Sequence, residues 1–427
     1  MNFNKWYLGL CIIGILILGY FKYYQLEQYY EGLERQSALY KSNAETVTYD
    51  WQKKTSNSMG ANQDNLENDS EQPSIKLNAR YALLLDADNN RVLYEKNGND
   101  EVAMASTTKI MTLIIALERG NPDDLVTFSQ NAAGMPDVQL NAKSGETFRL
   151  EDLLYSLMLE SHNDTAVAIA EHIGGSVKGF AALMNQKAKD LGLNHTNFVT
   201  PNGLDAPGHH TTAHDLAIIA SYATKKKDFR AITNAANHTF KNTKNKSYMV
   251  SNKNRFLYMM DGAFGVKTGF TSKAGYCFVG ALKQDNKTFI SVVLASGWPP
   301  HKQYKWNDTK QLMNYGLTEY GLVDIFDGSK TFYEVPVIDG QLPHISLSIE
   351  GSIPLLMSKH DTVTIEYEVP EQVMAPVTKG DIIGYARYYI NGNLYQSIPI
   401  LSKDTVLKED YKYNLNKIIN LWLGLDK

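Results

Sequence analysis

The order of strand and helix patterns between residues 79 and 320 constrains the fold most strongly. Strand-like apolar runs stand near both ends of this stretch, at 79–86 with 91–94 and at 275–282 with 288–296. Helical patterns fill the middle. A sheet must cover its apolar faces with other elements. The order therefore predicts one sheet, completed by both ends of the stretch and packed by helices, which is an α/β (α+β) fold.

Helical spacing is clearest at residues 106–118, where Ile110, Leu113, Ile114 and Leu117 share one face. Further helices are predicted over 151–159, 164–173, 177–191, 216–222 and 306–320. After Gly328 helical periodicity stops and short β-like runs replace it. We expect a separate small all-β domain over residues 328–408.

The two ends of the chain have the composition of membrane-associated segments. Residues 6–21 are almost wholly apolar between Lys5 and Lys22, with no small-x-small cleavage site after them. This predicts an uncleaved signal anchor over residues 1–24, with a cleaved signal peptide or a lipoprotein signal at Cys11 as alternatives. Such a segment implies a location at the cell membrane, on its extracytoplasmic face.

Residues 25–74 are polar and are predicted to be a linker between the membrane and the folded domains. Residues 409–427 form an amphipathic helical pattern with Trp422 on its apolar side. This helix either lies in a membrane interface or docks on the β domain.

Charge, cysteine content and histidine spacing give no sign of a nucleic-acid partner, a disulfide or a metal site, although a local basic groove stays possible. The formal net charge is −4, so no basic surplus suggests nucleic acid as the main partner. Cys11 and Cys277 are the two cysteines, and we expect no disulfide between them. His209 and His210 are interpreted as turn residues, because no acidic or histidine partner follows at ligand spacing. No metal or other cofactor is expected.

Three short motifs occur in a fixed order at predicted element boundaries. Ser106–Lys109 is an S-x-x-K, Ser161–Asn163 is an S-x-N, and Lys267–Gly269 is a K-T-G. Each motif alone is common by chance. Together and in this order they indicate a serine nucleophile with a lysine base.

The chemistry of these residue types fits acyl transfer. Ser106 stands at a helix start, and Lys109 three residues later shares its face. A partly desolvated lysine beside a second cation, Lys267, can lose its charge and accept the serine proton. Ser161 can relay that proton to the leaving nitrogen. Asn163 is expected to hold a substrate amide.

The K-T-G segment is predicted to bind the substrate. Thr268 can hydrogen-bond a terminal carboxylate, and Gly269 removes a side chain where the substrate backbone approaches. The backbone N–H groups of Phe270 and Ser106 are expected to form an oxyanion hole.

The motifs and their surroundings resemble the low-molecular-mass penicillin-binding serine D-alanyl-D-alanine carboxypeptidases. The similar segments are residues 105–112 (ASTTKIMT), 197–215 (NFVTPNGLDAPGHHTTAHD), 267–278 (KTGFTSKAGYCF) and 375–381 (APVTKGD). The resemblance implies a serine β-lactamase/transpeptidase-like catalytic domain over residues 75–322 and a C-terminal β domain. It also implies release of the terminal D-alanine from the peptidoglycan stem peptide, and inhibition by β-lactams.

The sequence departs from the family at several positions. His162 stands in the middle of S-x-N, where a small residue is frequent, and we expect it to point outward rather than face the cleft. The family often has an arginine that assists the substrate carboxylate, and Lys302 is the candidate replacement. Anchors at both chain ends are unusual for the family.

Three other functions share this fold. A β-lactamase needs a deacylating glutamate in an E-x-x-L-N pattern, which does not occur between Asn163 and Lys267. A non-catalytic wall-binding module is expected to lose a catalytic group, yet all are present. A D,D-endopeptidase uses the same residues and stays an alternative.

Overall fold

The structure is a computed structural model that describes residues 45–49 and 75–423 of the chain. The predicted signal anchor, the rest of the predicted linker and residues 424–427 lie outside the described residues. Backbone contacts divide the described chain into two units. The larger unit contains residues 75–322 with 355–359, and the smaller contains 45–49, 323–354 and 360–423. The first described strand, β1 (Glu45–Tyr49), belongs to the smaller unit.

The larger unit is built on a five-stranded antiparallel sheet in the order β3-β2-β10-β9-β8. Two short hairpins, β4 with β5 and β6 with β7, accompany it. The strands are β2 (Tyr81–Asp86), β3 (Val92–Lys96), β4 (Leu125–Thr127), β5 (Thr147–Arg149), β6 (Asn237–Lys241), β7 (Ser247–Ser251), β8 (Ala263–Thr271), β9 (Gly275–Gln284) and β10 (Lys287–Leu294).

The first and last strands of the sheet pattern are neighbours in space. Leu85 of β2 lies opposite Ile290 of β10. The predicted sheet, completed by both ends of the stretch, is therefore confirmed. Sequence patterns had not separated β8 from β9 as a strand of its own, and β8 is the strand that contains the K-T-G motif.

Both faces of this sheet are buried. Leu83 and Leu85 belong to one apolar core, whereas Ala82 and Leu84 belong to another on the opposite face. Successive side chains of a strand point to opposite faces. This explains why residues 82–85 are continuously apolar rather than alternating.

Helices cover the two faces of the sheet. The helices of the larger unit are α1 (Lys109–Arg119), α2 (Gln130–Ala133), α3 (Leu150–Leu159), α4 (Asn163–Gly174), α5 (Val177–Asp190), α6 (Ala213–Thr224), α7 (Lys227–Asn234) and α8 (Tyr304–Glu319). α1 and α6 contribute buried side chains to the core that contains Leu83, and α8 contributes Trp306, Leu312 and Met313 to the core that contains Leu84. Short 3-10 helices, Ala105–Thr108 and Arg255–Tyr258, precede α1 and β8.

The remaining strands are short, apart from β18 and β19. Their bounds are β11 (Gly321–Asp324), β12 (Val335–Ile338), β13 (His344–Ile345), β14 (Leu347–Ser348), β15 (Pro354–Met357), β16 (Val363–Glu368), β17 (Val373–Met374), β18 (Ile382–Ile390) and β19 (Asn393–Ser402). In the smaller unit, β1, β16, β18, β19 and β14 form one antiparallel sheet, and β13, β12 and β17 form a second. Val363, Ile365 and Tyr367 are buried on alternate positions of β16, as a sheet with one buried face requires.

The prediction of a linker over residues 25–74 is wrong for residues 45–49. These residues form β1 and pair with β16, with Val47 opposite Ile365. The segment contains Thr46, Val47, Thr48 and Tyr49, which are β-branched or aromatic residues that favour strands. The polar composition of the surrounding sequence concealed this local preference.

The last described helix is α9 (Tyr411–Leu423), and none of its residues is buried. Ile418 and Trp422 are 63% and 87% exposed. Across the described ranges, no helix combines the length and apolar character needed to cross a bilayer.

Candidate active site

Ser106 lies in the 3-10 turn Ala105–Thr108, which leads directly into α1. Ala105, immediately before it, has a φ of 50°, a left-handed conformation that non-glycine residues seldom adopt. Gly269 on β8 packs against this turn. A Cβ at Gly269 would lie 3.1 Å from both the Ser106 backbone nitrogen and the Ala105 Cβ. The close approach of the nucleophile's own backbone therefore gives a second reason for glycine here, beside the predicted approach of a substrate.

Lys109 is completely buried, and its amine reaches three oxygen atoms. Its Nζ lies 3.0 Å from Ser106 Oγ, 2.9 Å from Asn163 Oδ1 and 2.5 Å from the Asn202 carbonyl oxygen. A neutral amine has two N–H donors and one lone pair. The two carbonyl oxygens can accept both N–H groups, which leaves the lone pair directed at the Ser106 hydroxyl. This geometry suits proton transfer from Ser106 to Lys109.

The electrostatic surroundings of Lys109 favour that neutral form. Burial, followed by the positive charge of Lys267, holds the pKa of Lys109 well below its ordinary value. Lys267 is itself 2% exposed, and burial lowers the pKa of its amine to about 7. Its Nζ donates to the Thr268 carbonyl oxygen at 3.1 Å. The prediction that a desolvated lysine beside a second cation serves as the base agrees with this arrangement.

Ser161 is held in an unusual backbone conformation, with a φ of 72°. Its Oγ is buried, and it has no hydrogen-bond partner among the described residues. A buried hydroxyl without a partner loses its hydration without compensation. A bound substrate would supply the missing hydrogen-bond partner of the Ser161 hydroxyl. The predicted role of Ser161 as a proton relay requires this contact.

Asn163 has a different set of contacts from the one expected of it. Its Oδ1 accepts from Lys109, and its Nδ2 donates to the carbonyl oxygens of Pro136 and Asp137, both at 3.1 Å. Both N–H groups of the amide are therefore used inside the protein. Asn163 orients Lys109 and ties it to the loop at residues 136–137, and no free N–H is left to hold a substrate amide.

His162 does not point outward, so that expectation is wrong. Its side chain is buried, with Nδ1 2.8 Å from Ser156 Oγ and Nε2 3.3 Å from Glu160 Oε2. Burial lowers its pKa, against the opposing charges of Asp164 and Glu160. The ring has a polar partner on each nitrogen, which is what makes a buried histidine acceptable at this position.

Asn202 and Gly203 are part of the site, although no role was predicted for them. The Asn202 carbonyl oxygen accepts a hydrogen bond from the amine of Lys109. Gly203 has a φ of 84°, and a Cβ there would lie 2.0 Å from the Ala105 carbonyl oxygen. The resemblance included this Asn-Gly pair, but a backbone carbonyl leaves no signature in the sequence that would identify it as a ligand of the base.

The substrate-binding residues predicted on β8 line up along an edge of the sheet. β8 is the outer strand beyond β9, and Thr268 lies opposite Phe278 in that pairing. Phe270 is 41% exposed, and its ring centroid lies 4.7 Å from that of Tyr276. An outer strand has backbone groups available for an extended peptide.

Lys302 lies exposed in the loop before α8, and the described contacts do not connect its side chain to Ser106 or Lys267. Lys305, which sequence reasoning did not identify, is buried nearby. Its Nζ lies 4.6 Å from the Tyr276 ring centroid, and burial lowers its pKa to about 8. Lys302 as a substrate-binding residue stays a prediction.

The described parts of the chain contain no group of three or more histidine, cysteine or acidic side chains arranged to hold a metal ion. Cys277 is buried as a free thiol.

The family model of D-alanyl-D-alanine carboxypeptidase matches residues 67–297, and that of the penicillin-binding protein 5 C-terminal domain matches residues 320–408. A fold and site of this kind define a penicillin-binding serine peptidase. The chain belongs to the D-alanyl-D-alanine carboxypeptidase family.

Relatives with similar sequences and structures match different shares of this chain. D-alanyl-D-alanine carboxypeptidase DacF of Bacillus subtilis is 30% identical over 352 residues, which cover 81% of this chain and 90% of the relative. Penicillin-binding protein 5 of Haemophilus influenzae matches with a TM-score of 0.65 and 27% identity, covering 79% of this chain and all of that chain. The Streptomyces K15 DD-transpeptidase matches with a TM-score of 0.54 and 30% identity, covering 58% of this chain and 99% of its own.

Proposed function

We propose that this chain is a serine D-Ala-D-Ala carboxypeptidase that removes the terminal D-alanine of peptidoglycan stem peptides. One observation supports this most directly. Lys109 Nζ lies 3.0 Å from Ser106 Oγ, while two carbonyl oxygens can accept both N–H groups of its neutral amine. A nucleophile and its base are thus placed at hydrogen-bond distance without a histidine.

In the acylation step, Ser106 Oγ attacks the carbonyl carbon of the penultimate D-alanine as its proton passes to Lys109. The negative charge that develops on the carbonyl oxygen is stabilised by backbone N–H groups of Ser106 and Phe270. The peptide C–N bond then breaks. Ser161 Oγ relays the proton from Lys109 to the leaving nitrogen, and free D-alanine departs.

In the deacylation step, a water molecule attacks the ester carbonyl. Lys109 takes one proton from this water, and that proton is returned to Ser106 Oγ as the ester bond breaks. The products are the shortened peptide and the original enzyme. Because the same lysine serves in both steps, both require its neutral form, which its lowered pKa favours.

The substrate class is supported by the family and by the residues on β8. The terminal D-alanine carries a carboxylate, and a positive charge on Lys267 together with the Thr268 hydroxyl can bind it. The Bacillus subtilis and Haemophilus influenzae relatives bear the names of a D-alanyl-D-alanine carboxypeptidase and a penicillin-binding protein. The Streptomyces K15 relative is described as a DD-transpeptidase in its solved structure, and a relative from the same strain bears the name D-alanyl-D-alanine carboxypeptidase.

The decisive experiment supplies the full chain with a D-Ala-D-Ala pentapeptide and, separately, with a cross-linked peptide dimer. We expect free D-alanine from the pentapeptide and none with Ser106→Ala. Cleavage of the dimer without release of D-alanine from the pentapeptide would replace this proposal with the endopeptidase alternative. Turnover of many penicillin molecules per second, in place of a long-lived acyl-enzyme, would favour the β-lactamase.

We further propose that the enzyme works at the extracytoplasmic face of the cell membrane, held by residues 1–24 and by α9. The apolar run at residues 6–21 supports the N-terminal attachment. The exposure of Ile418 and Trp422 on an amphipathic helix supports a second attachment. Peptidoglycan lies outside this membrane, so the location also fits the substrate.

Membrane attachment can be tested with the full chain in two assays. Protease added to intact spheroplasts should digest the protein if it faces outward, and its survival there with digestion after lysis would contradict the location. Purified chain with Ile418→Asp and Trp422→Asp should bind anionic lipid vesicles more weakly than the original chain. Equal binding would remove α9 from the proposal.

A further inference from the structure

The turn that contains Ser106 is connected to a buried histidine in the loop before α6. His209 is 5% exposed, and its Nδ1 accepts a hydrogen bond from the Val199 backbone N–H at 3.0 Å. Because Nδ1 is the acceptor, the proton of the neutral ring must be on Nε2. Nε2 lies 2.9 Å from Thr108 Oγ1 and therefore donates to it. The direction of both hydrogen bonds of the His209 ring is thus determined.

The chain of hydrogen bonds ends on the residue before the nucleophile. Thr108 Oγ1 donates to the Ala105 carbonyl oxygen at 2.8 Å. Ala105 has a φ of 50°, so its peptide group is held in a conformation that it would not adopt without support. Gly203 packs so closely against the same carbonyl that a Cβ would lie 2.0 Å away. The Ala105 carbonyl is therefore held by a hydrogen bond and by close packing.

The orientation of the Ala105 peptide group determines the position of the Ser106 backbone. A rotation at Ala105 would move the Ser106 backbone nitrogen, which lies near Gly269, and would shift Oγ from its 3.0 Å contact with Lys109. We propose that His209 is a positioning residue for the acylation reaction, which acts through Thr108 to hold Ala105 and thereby Ser106 in its reactive geometry. This inference rests on the proposed serine acyl-transfer function and adds a residue to it.

The surroundings of His209 keep its ring in the neutral form that the hydrogen-bond chain needs. A cavity of about 350 Å³ beside it is also lined by Arg80, Glu101, Lys273 and His210. Burial, and then the charge of His210, lower the pKa of His209 to about 4. The ring is therefore neutral near pH 7, and Nδ1 stays an acceptor.

The test compares two substitutions that differ in hydrogen bonding. In His209→Gln, the amide oxygen can accept from Val199 and the amide nitrogen can donate to Thr108, so the chain is preserved. In His209→Leu both bonds are lost. Thr108→Val removes the donor to Ala105 at nearly constant volume. His210→Gln is the matched control, because His210 is adjacent and its side chain pairs with Glu101 rather than with the turn.

The measurements are the pre-acylation dissociation constant and the acylation rate constant for a fluorescent penicillin, taken from stopped-flow traces. Misplacement of a reacting group by about 1 Å can cost on the order of a hundredfold in rate. We expect His209→Leu and Thr108→Val each to lower the acylation rate constant by about ten- to a hundredfold, with the dissociation constant unchanged. His209→Gln should recover most of the rate, and His210→Gln should match the original enzyme.

A double variant shows whether His209 acts through Thr108 or whether the two residues affect the rate independently. If His209 acts through Thr108, His209→Leu combined with Thr108→Val should lose no more rate than Thr108→Val alone. Additive losses, or a His209→Leu variant that acylates normally, would overturn the proposal. If His209→Leu does not fold, a rate for His209→Gln at least about tenfold below the original, together with full rate in Thr108→Val, would also overturn it. Absence of acylation in the original enzyme would instead refute the proposed function.

Discussion

Lys267 provides the most quantitative test of the buried site. Its side chain is 2% exposed, and burial lowers the pKa of its amine from 10.5 to about 7. In the unfolded chain the same amine is hydrated and keeps its ordinary pKa. The substitution Lys267→Met removes the amine, and with it this difference in pKa between the folded and unfolded states, while keeping a side chain of similar length.

The sign and size of the effect follow from proton linkage. Between the two pKa values the unfolded state binds more protons, so the free energy of unfolding rises with pH across that window. At pH 7 a shift from 10.5 to about 7 costs the folded state about 4 kcal/mol, and at pH 10 about 1 kcal/mol. Lys267→Met should therefore stabilise the folded chain strongly at pH 7 and only slightly at pH 10.

Differential scanning calorimetry of the full chain at both pH values measures this directly. Lys310→Met is the control, because Lys310 is an exposed lysine on α8. We expect the control to leave the unfolding temperature unchanged at either pH. A stabilisation by Lys267→Met that is equal at pH 7 and pH 10, or a destabilisation at pH 7, would refute the conclusion that burial of this charge opposes folding.

Three further predictions concern individual parts of the chain. Ser161→Ala removes a buried hydroxyl that has no partner in the described chain, so the unfolding temperature should not fall, while acylation by penicillin should drop by at least about a hundredfold; a clear loss of stability would mean that the hydroxyl has a structural role. Gly203→Ala places a Cβ against the Ala105 carbonyl at a residue whose φ is 84°. The free energy of unfolding should fall by about 2 kcal/mol or more, and the acylation rate should fall as well. Normal acylation kinetics would contradict the close approach. Val47→Pro removes a backbone N–H donor from β1 and should weaken its pairing with β16. Hydrogen exchange in residues 363–368 should therefore be faster than in the control Val47→Thr. Unchanged exchange would contradict the pairing.

Much of the site could be predicted from the sequence because its chemistry depends on particular side chains. A serine and a lysine three residues apart on a helix can only be neighbours, and a second buried lysine makes the first one a base. The apolar strands at both ends of the larger unit likewise have few ways to be buried. These constraints are local or compositional, and the sequence contains them directly.

Other features could not be predicted because they depend on backbone atoms or on distant packing. The Asn202 carbonyl accepts from Lys109, and any residue could have supplied that oxygen. Asn163 was expected to bind a substrate amide, but the carbonyls of the loop at residues 136–137 occupy its N–H groups. β1 was hidden in a polar segment, since its partner β16 lies more than three hundred residues later in the chain.

The central claim is that Ser106 forms an acyl-enzyme with Lys109 as its base. Intact-mass spectrometry of the full chain after incubation with penicillin, followed by peptide mapping, tests it most directly. We predict one covalent adduct, located on Ser106, that is absent in Ser106→Ala and forms very slowly in Lys109→Met. An adduct on another residue, or release of D-alanine from a pentapeptide by Ser106→Ala, would contradict the account.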